Sequence, residues 1–87
     1  MILTVDIGNT NTVFGIYNND KLIYKFRIQS IHDKTTDEYA SLLLTLLERN
    51  NVPVADIEGA IIGSVVPQLQ YTFTRMIKKY LKINALL

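Results

Sequence analysis

Apolar and polar positions alternate in blocks along this chain, and the blocks differ in period. Ile2 to Ile7 is a nearly continuous apolar run rich in β-branched residues, the pattern of a strand covered on both faces in the middle of a sheet. Thr12 to Tyr17 is a second β-rich run, and Asn18-Asn19-Asp20 is a turn cluster before a third, Lys21 to Ile28. There Leu22, Tyr24, Phe26 and Ile28 alternate with Lys21, Lys25 and Arg27. Ile23 breaks the alternation, which otherwise predicts one drier and one wetter face. Periodicity is lost from Gln29 to Thr36, after which Tyr39, Leu42, Leu43, Leu46 and Leu47 recur at helical spacing. Thr35 and Glu38 fit a capping box, Asp37 adds negative charge to the first turn, and Asn50-Asn51 before Pro53 ends the helix.

Ile57 to Ile62 is a short apolar run without alternation, predicted as a buried strand parallel to the first through the crossover helix. Gly63-Ser64-Val65-Val66-Pro67 leads into a second helix, with Pro67 suited to its first turn. Leu69, Phe73, Met76, Ile77 and Tyr80 share one face of it; Gln70, Thr74, Arg75, Lys78 and Lys82 lie elsewhere. Ile83 to Leu87 is apolar and strand-like. The order β-β-β-α-β-α-β, without internal repeat or linker, predicts an α/β layer arrangement with a mixed sheet.

Composition narrows the function classes. At 87 residues, 48% hydrophobic and 20% charged, the chain fits one domain with a packed core and a thin stability margin. Its formal charge of +1 gives neither nucleic acid nor an anionic membrane the footing of a main partner. The late cluster Arg75, Lys78, Lys79 and Lys82 reads as a solvated helix face complementing the negative helix end, or else as a polyanion site. The absence of cysteine excludes disulfides, thiolate zinc sites and thiol redox chemistry. Met1 to Val5 lacks a basic flank and soon meets Asp6, which makes a poor signal peptide. No run approaches the ~18 to 20 apolar residues of a membrane helix, and a cytoplasmic location is expected.

The candidate chemistry lies at Asp6 to Thr12. An aspartate near the end of a buried strand is costly to desolvate unless hydrogen bonds or a cation compensate it. A magnesium nucleotide would supply such compensation. The segment is neither a P-loop nor a Rossmann fingerprint, since it has no Gly-x-x-x-x-Gly-Lys and a strand follows the turn. A tight turn containing Gly8 can still aim backbone N–H groups outward as an anion-binding concavity, with Asn9, Thr10, Asn11 and Thr12 adding side-chain donors. Asp6 would then hold magnesium through coordinated waters, because that ion keeps several waters and uses few protein carboxylates. Spacing alone leaves open a hairpin turn that uses Gly and Asn for backbone reasons.

Asp6-x-Gly8-x-Thr10 after an apolar strand, with a hairpin and a third strand following, resembles the first phosphate motif of the superfamily of actin, sugar kinases and heat-shock chaperone ATPases. More narrowly, Asp6-Ile7-Gly8-Asn9-Thr10 near the amino end, the Thr36-Asp37-Glu38-Tyr39 helix start and Gly63-Ser64-Val65-Val66-Pro67 resemble type III pantothenate kinases, in the same order and across most of the chain. The resemblance implies an RNase H-like (actin-like ATPase) domain and ATP-dependent phosphorylation of pantothenate, the first step towards coenzyme A. It places the phosphate motif on Asp6, Ile7, Gly8, Asn9, Thr10, Asn11, Thr12 and Val13. It further implies magnesium, a monovalent cation (potassium or ammonium) and a homodimer. An actin-like regulatory module that binds nucleotide without small-molecule kinase activity carries the same motif.

Gly63 and Ser64 follow a strand predicted to be central, where loops of open α/β sheets face the ligand cleft. They are candidates for substrate or phosphate contact, or a plain strand-to-helix connection. His32 has no metal-ligand partner by spacing, and Asp33, Asp56 and Glu58 read as loop and edge charges. The family's Gly-x-Asp-Arg segment, whose aspartate is the base on the pantothenate hydroxyl, does not occur in these residues. No residue here is therefore assigned as catalytic, and the base, second phosphate motif, adenine pocket and cation site are expected beyond Leu87. Residues 1–87 are expected to be the amino-terminal half of a two-domain kinase.

Overall fold

The computed structural model describes residues 1–87. The apolar run Ile2–Ile7 forms β1, which pairs on both sides. It runs antiparallel to β2 (Asn11–Asn18), with Ile2 opposite Tyr17 and Ile7 opposite Thr12. On its other side it runs parallel to β4 (Gly59–Ser64), with Ile2 opposite Gly59 and Ile7 opposite Ser64. β3 (Lys21–Gln29) extends the sheet as an antiparallel neighbour of β2, giving the order β3-β2-β1-β4. The central position and mixed pairing agree with the sequence pattern.

Coverage differs from the expectation of two buried faces. Leu3, Val5 and Ile7 are buried and Asp6 is exposed, so β1 alternates with period two. A single core joins them to Phe14 and Ile16 of β2, Ala60 and Ile62 of β4, and the apolar faces of both helices. The other face, with Thr4, Asp6, Gly63 and the half-exposed Ile61, has no covering layer in this chain.

A bulge explains the exception at Ile23. Ile16 pairs with Tyr24, but Tyr17 pairs with Leu22, which leaves Ile23 as an extra residue on β3. Leu22 is thereby moved to the uncovered face beside Gly15 and Tyr17, and it is exposed where alternation predicts a drier position.

Helix α1 (Thr36–Arg49) begins at the predicted capping box: the Glu38 N–H donates to Thr35 Oγ1 at 3.2 Å and the Thr35 N–H donates to Glu38 Oε1 at 2.9 Å. It ends with Asn50 Nδ2 donating to the Leu46 carbonyl at 2.8 Å and Asn51 in the left-handed region at φ 57°. Tyr39, Ala40, Leu43 and Leu47 are buried, whereas Leu42 faces outward. A single 3₁₀ turn, Val54–Asp56, precedes β4. Ile57 packs in the core beside that turn, so the strand begins two residues later than the apolar run predicts and continues through Ser64.

Helix α2 (Pro67–Met76) starts at Pro67 and widens into a π-helical stretch, Ile77–Leu81, before Lys82 stops it at φ 61°. The wider turn buries Ile77 and Leu81 and leaves Tyr80 half-buried, in place of the predicted Tyr80 core position. Phe73 is the centre of the core, edge-on to Phe14 at 5.8 Å and against Tyr39 at 4.5 Å. The final apolar run makes one parallel bridge beside β4 instead of a full strand: the Leu86 N–H donates to Ala60 O and the Ile62 N–H to Leu86 O, both at 2.8 Å. No helix is long and apolar enough to cross a membrane.

Candidate functional site

The parallel pairing of β1 and β4 aligns two carboxyl ends, and ligands of open α/β sheets bind at that edge. Asp6 stands opposite Gly63, Ile7 opposite Ser64, and the Val65 N–H donates to the Ile7 carbonyl at 3.1 Å. The two motifs singled out in the sequence, 57 residues apart at Asp6 and Gly63, thus meet at one end of the sheet.

Asp6 differs from its expected setting. Its side chain is exposed on the uncovered face and forms no hydrogen bond or ion pair within the chain. No desolvation cost arises here, and the carboxylate is free to bind. No group of three or more His, Cys, Asp or Glu side chains converges anywhere. A lone exposed carboxylate is compatible with an ion such as magnesium, which uses few protein carboxylates and keeps several waters.

The turn that follows divides its groups between structure and solvent. The Gly8 N–H donates to the Asn11 carbonyl at 2.9 Å, so this amide closes the hairpin and does not point to a ligand. Gly8 has no positive φ; a Cβ there would lie 3.0 Å from the Asn11 carbonyl, and this close approach accounts for glycine. Asn9 and Thr10 are exposed, and neither their backbone N–H groups nor their side chains have partners in the chain. Asn11 is half-buried with its amide side chain unbonded.

Thr12 is turned the other way. It is fully buried on the helix-covered face, with Oγ1 2.8 Å from Ser30 Oγ. Its position, at even spacing from Phe14 and Ile16, directs it inward, so its side chain is not the outward donor expected from the sequence. Ile7 is buried as well, and Val13 is half-buried, so both offer backbone only. Ser64 Oγ donates to the Val66 carbonyl and accepts from the Val66 N–H, both at 2.9 Å. Its proton is engaged in shaping the entry to α2. Gly63 alone in that segment is unencumbered: a Cβ there would meet nothing within 4 Å.

Sequence reasoning missed Ser30, which bonds the turn at several points. Extending the β2–β3 register one step past Asn11 and Gln29 would have placed it opposite Thr10. Helical spacing places Tyr39 on the apolar face but does not show its second role: the buried hydroxyl donates to the Ile31 carbonyl and accepts from the Ile31 N–H, both at 2.8 Å.

Asp37 and Glu38 serve structure at the start of α1. Asp37 Oδ1 accepts from Tyr80 OH at 2.6 Å and Lys79 Nζ at 2.9 Å, tying the start of α1 to the end of the second helical segment. The Tyr80 and Lys79 hydrogen bonds hold the Asp37 carboxyl below its ordinary range and raise the Lys79 ammonium and Tyr80 phenol. The bonds with Thr35 likewise lower Glu38. His32 and Asp33 are exposed, as the loop reading expects. The hollows beside α1 are lined by none of residues 6–13, 63 or 64. The turn lies on open surface.

An α/β sheet with a free carboxylate and an unbonded donor turn at the carboxyl ends of parallel strands has its candidate groups where open α/β domains bind ligands. The type III pantothenate kinase family profile matches residues 2–87, and the chain belongs to that family. The type III pantothenate kinase of Finegoldia magna is 49% identical over 87 residues, covering all of this chain and 33% of the relative. The type III pantothenate kinases of Shouchella clausii and Halalkalibacterium halodurans are 46% and 38% identical, again over the whole chain and 34% of each relative. The chain thus spans about a third of the length of these relatives.

Proposed function

We propose that the intact protein phosphorylates pantothenate with ATP to give 4'-phosphopantothenate, the first step of coenzyme A synthesis, and that residues 1–87 form the phosphate-binding wall of its active site. The observation that carries this reading is the family match across residues 2–87. The exposed, unpaired Asp6 beside Asn9 and Thr10 supports the placement of the phosphates.

In this reading Asn9 and Thr10 donate to phosphate oxygens, Asn11 completes the rim, and Gly63 leaves space beside Asp6 for the bound group. Asp6 holds magnesium through water, and the ion would neutralise charge on the phosphates. Asp6 takes no proton. The base on the pantothenate hydroxyl comes from outside residues 1–87, which lack the Gly-x-Asp-Arg segment. Positioning and charge neutralisation dominate phosphoryl transfer, so this wall contributes binding and orientation.

The domain belongs to the RNase H-like, actin-like amino-terminal part of a two-domain kinase. The sheet order β3-β2-β1-β4, with Leu86 bridging to the far side of β4, supports that topology. A monovalent cation, potassium or ammonium, a homodimer and a cytoplasmic location belong to the same reading and rest on family membership alone.

The test is ADP release by the intact protein with magnesium ATP, with and without pantothenate, together with detection of the phosphorylated product. Pantothenate-dependent ADP and product are expected. ATP turnover indifferent to pantothenate would refute the substrate assignment.

A further inference from the structure

Ser30 directly follows β3 and stands across from Thr10, one step beyond the paired Asn11 and Gln29. Its backbone N–H donates to the Thr10 carbonyl at 2.8 Å, and its Oγ donates to the Gly8 carbonyl at 2.7 Å. A serine hydroxyl carries one proton and a carbonyl can only accept. With that proton on Gly8, the 2.8 Å contact between Ser30 Oγ and Thr12 Oγ1 is donated by Thr12. A directed chain therefore runs from the Thr12 hydroxyl through the Ser30 hydroxyl to the Gly8 carbonyl.

One residue thus binds both ends and the middle of the Gly8–Thr12 turn. Ser30 is itself held from behind, because the buried Tyr39 hydroxyl grips both the N–H and the carbonyl of the next residue, Ile31. The N–H groups and side chains of Asn9 and Thr10 have no partners in the chain, so the direction of these donors depends on how firmly the flanking residues are fixed.

We propose that Ser30 is a positioning residue for the phosphate turn, anchored to α1 through Ile31 and Tyr39. It does not touch substrate; it acts through Gly8, Thr10 and Thr12. The proposal rests on the reading of this turn as the ATP phosphate cradle. Removing the hydroxyl leaves the buried Thr12 hydroxyl without its acceptor and the Gly8 carbonyl without its side-chain donor. The turn then samples more conformations, and the cost falls on ATP binding more than on folding.

The experiment compares the intact wild type with Ser30→Ala, Ser30→Thr and Thr12→Val, measuring KM for ATP, KM for pantothenate, kcat, Tm and hydrogen exchange of the segment Gly8–Thr12. Ser30→Ala is expected to raise KM for ATP about tenfold with kcat and KM for pantothenate within about threefold. Exchange in Gly8–Thr12 should quicken by a similar factor. Ser30→Thr should restore most of the loss, and Thr12→Val, which leaves the bond to Gly8 intact, should do less than Ser30→Ala. An unchanged KM for ATP in Ser30→Ala overturns the proposal, whatever the exchange shows. If Ser30→Ala does not fold, Ser30→Cys, with its weaker donor, is read by the same criteria. If the wild type phosphorylates no pantothenate, the functional reading fails separately, and exchange of Gly8–Thr12 decides the role of Ser30: faster in Ser30→Ala supports it, unchanged overturns it.

Discussion

Asp6 and Gly63 face each other across the parallel ladder of β1 and β4, and a side chain at Gly63 would meet no atom of the chain within 4 Å. Nothing in the backbone demands glycine there, because its φ is not positive. In the proposed reading the space serves the group bound beside Asp6. Gly63→Ala should leave Tm unchanged or slightly raised, since alanine lowers the entropy of the unfolded chain by ~0.4–1 kcal/mol. Gly63→Val should lower kcat/KM for ATP by at least about tenfold, or ~1.4 kcal/mol of transition-state binding. Full activity in Gly63→Val, measured by coupled ADP release, would show that the space is unused.

Asp6 forms no intrachain bond, so its replacement separates function from folding. Asp6→Asn keeps the shape and removes the charge. Tm should stay within about 2 °C, as surface changes are usually within ±0.5 kcal/mol. Magnesium ATP turnover should fall by about two orders of magnitude or more, the scale of losing one preorganised charge-stabilising group. Turnover near wild type would remove Asp6 from the site.

How much of this was legible in the sequence depends on which interactions are local. The Thr35 and Glu38 capping box and Pro67 at the start of α2 were readable, because each is decided within a few residues. The central place of β1 followed from its apolar run. The inward turn of Thr12 follows from its shared parity with Phe14 and Ile16, but the chemistry of a polar residue in a donor-rich motif points the other way, and position wins. The bulge at Ile23 and the role of Ser30 arise from the pairing of β2 with β3, which no single-strand pattern contains. The residue types of Ile83 to Leu87 predict a strand. Pairing needs a neighbour, and only Leu86 meets β4.

Acid should loosen the junction of the two helical segments. The Asp37 carboxyl lies below its ordinary value of 3.8 in the folded state, chiefly through the Tyr80 hydroxyl and then Lys79. A lowered folded value means that the unfolded state binds the proton more readily, so this contribution is present above that ordinary value and is lost as pH falls through the folded value. Glu38, lowered from 4.5 by Thr35, acts in the same sense. Denaturant midpoints measured from pH 6 down to pH 3 should fall, and Asp37→Asn should flatten part of that decline. An identical slope in Asp37→Asn would mean that ionisation of Asp37 is not linked to folding.

The aromatic centre is the point of greatest vulnerability. Phe73 is fully buried between Phe14 and Tyr39, on the helix that closes the core against the sheet. Phe73→Ala should cost ~3–5 kcal/mol through lost burial and the cavity left behind. That is a large part of a small domain's ~5–15 kcal/mol. Thermal unfolding followed by circular dichroism should show a drop of more than about 10 °C, and a drop of a few degrees would mean that the neighbours collapse into the space.

Gly15 is the counterpart of Gly63 on the same uncovered face, and it is glycine for the opposite reason. A Cβ at Gly15 would lie 2.5 Å from Thr4 Oγ1 and 3.3 Å from Leu22 Cδ1, so it collides with the adjacent strand. Thr4 is paired directly opposite, and its short side chain leaves little room to withdraw. Gly15→Ala should therefore destabilise by ~1–3 kcal/mol, the usual cost of overpacking. Because the clash is with Oγ1, Thr4→Ala should relieve it. The double variant Thr4→Ala with Gly15→Ala should be more stable than Gly15→Ala alone, giving a favourable coupling of ~0.5–3 kcal/mol in a double-mutant cycle of denaturant unfolding. Additive effects would show that the sheet absorbs the added methyl by moving its strands apart and not through Thr4. Activity separates the two glycines as well: Gly15→Ala should lose stability first and ATP turnover only as folded protein is lost, whereas Gly63→Val should lose turnover while folded.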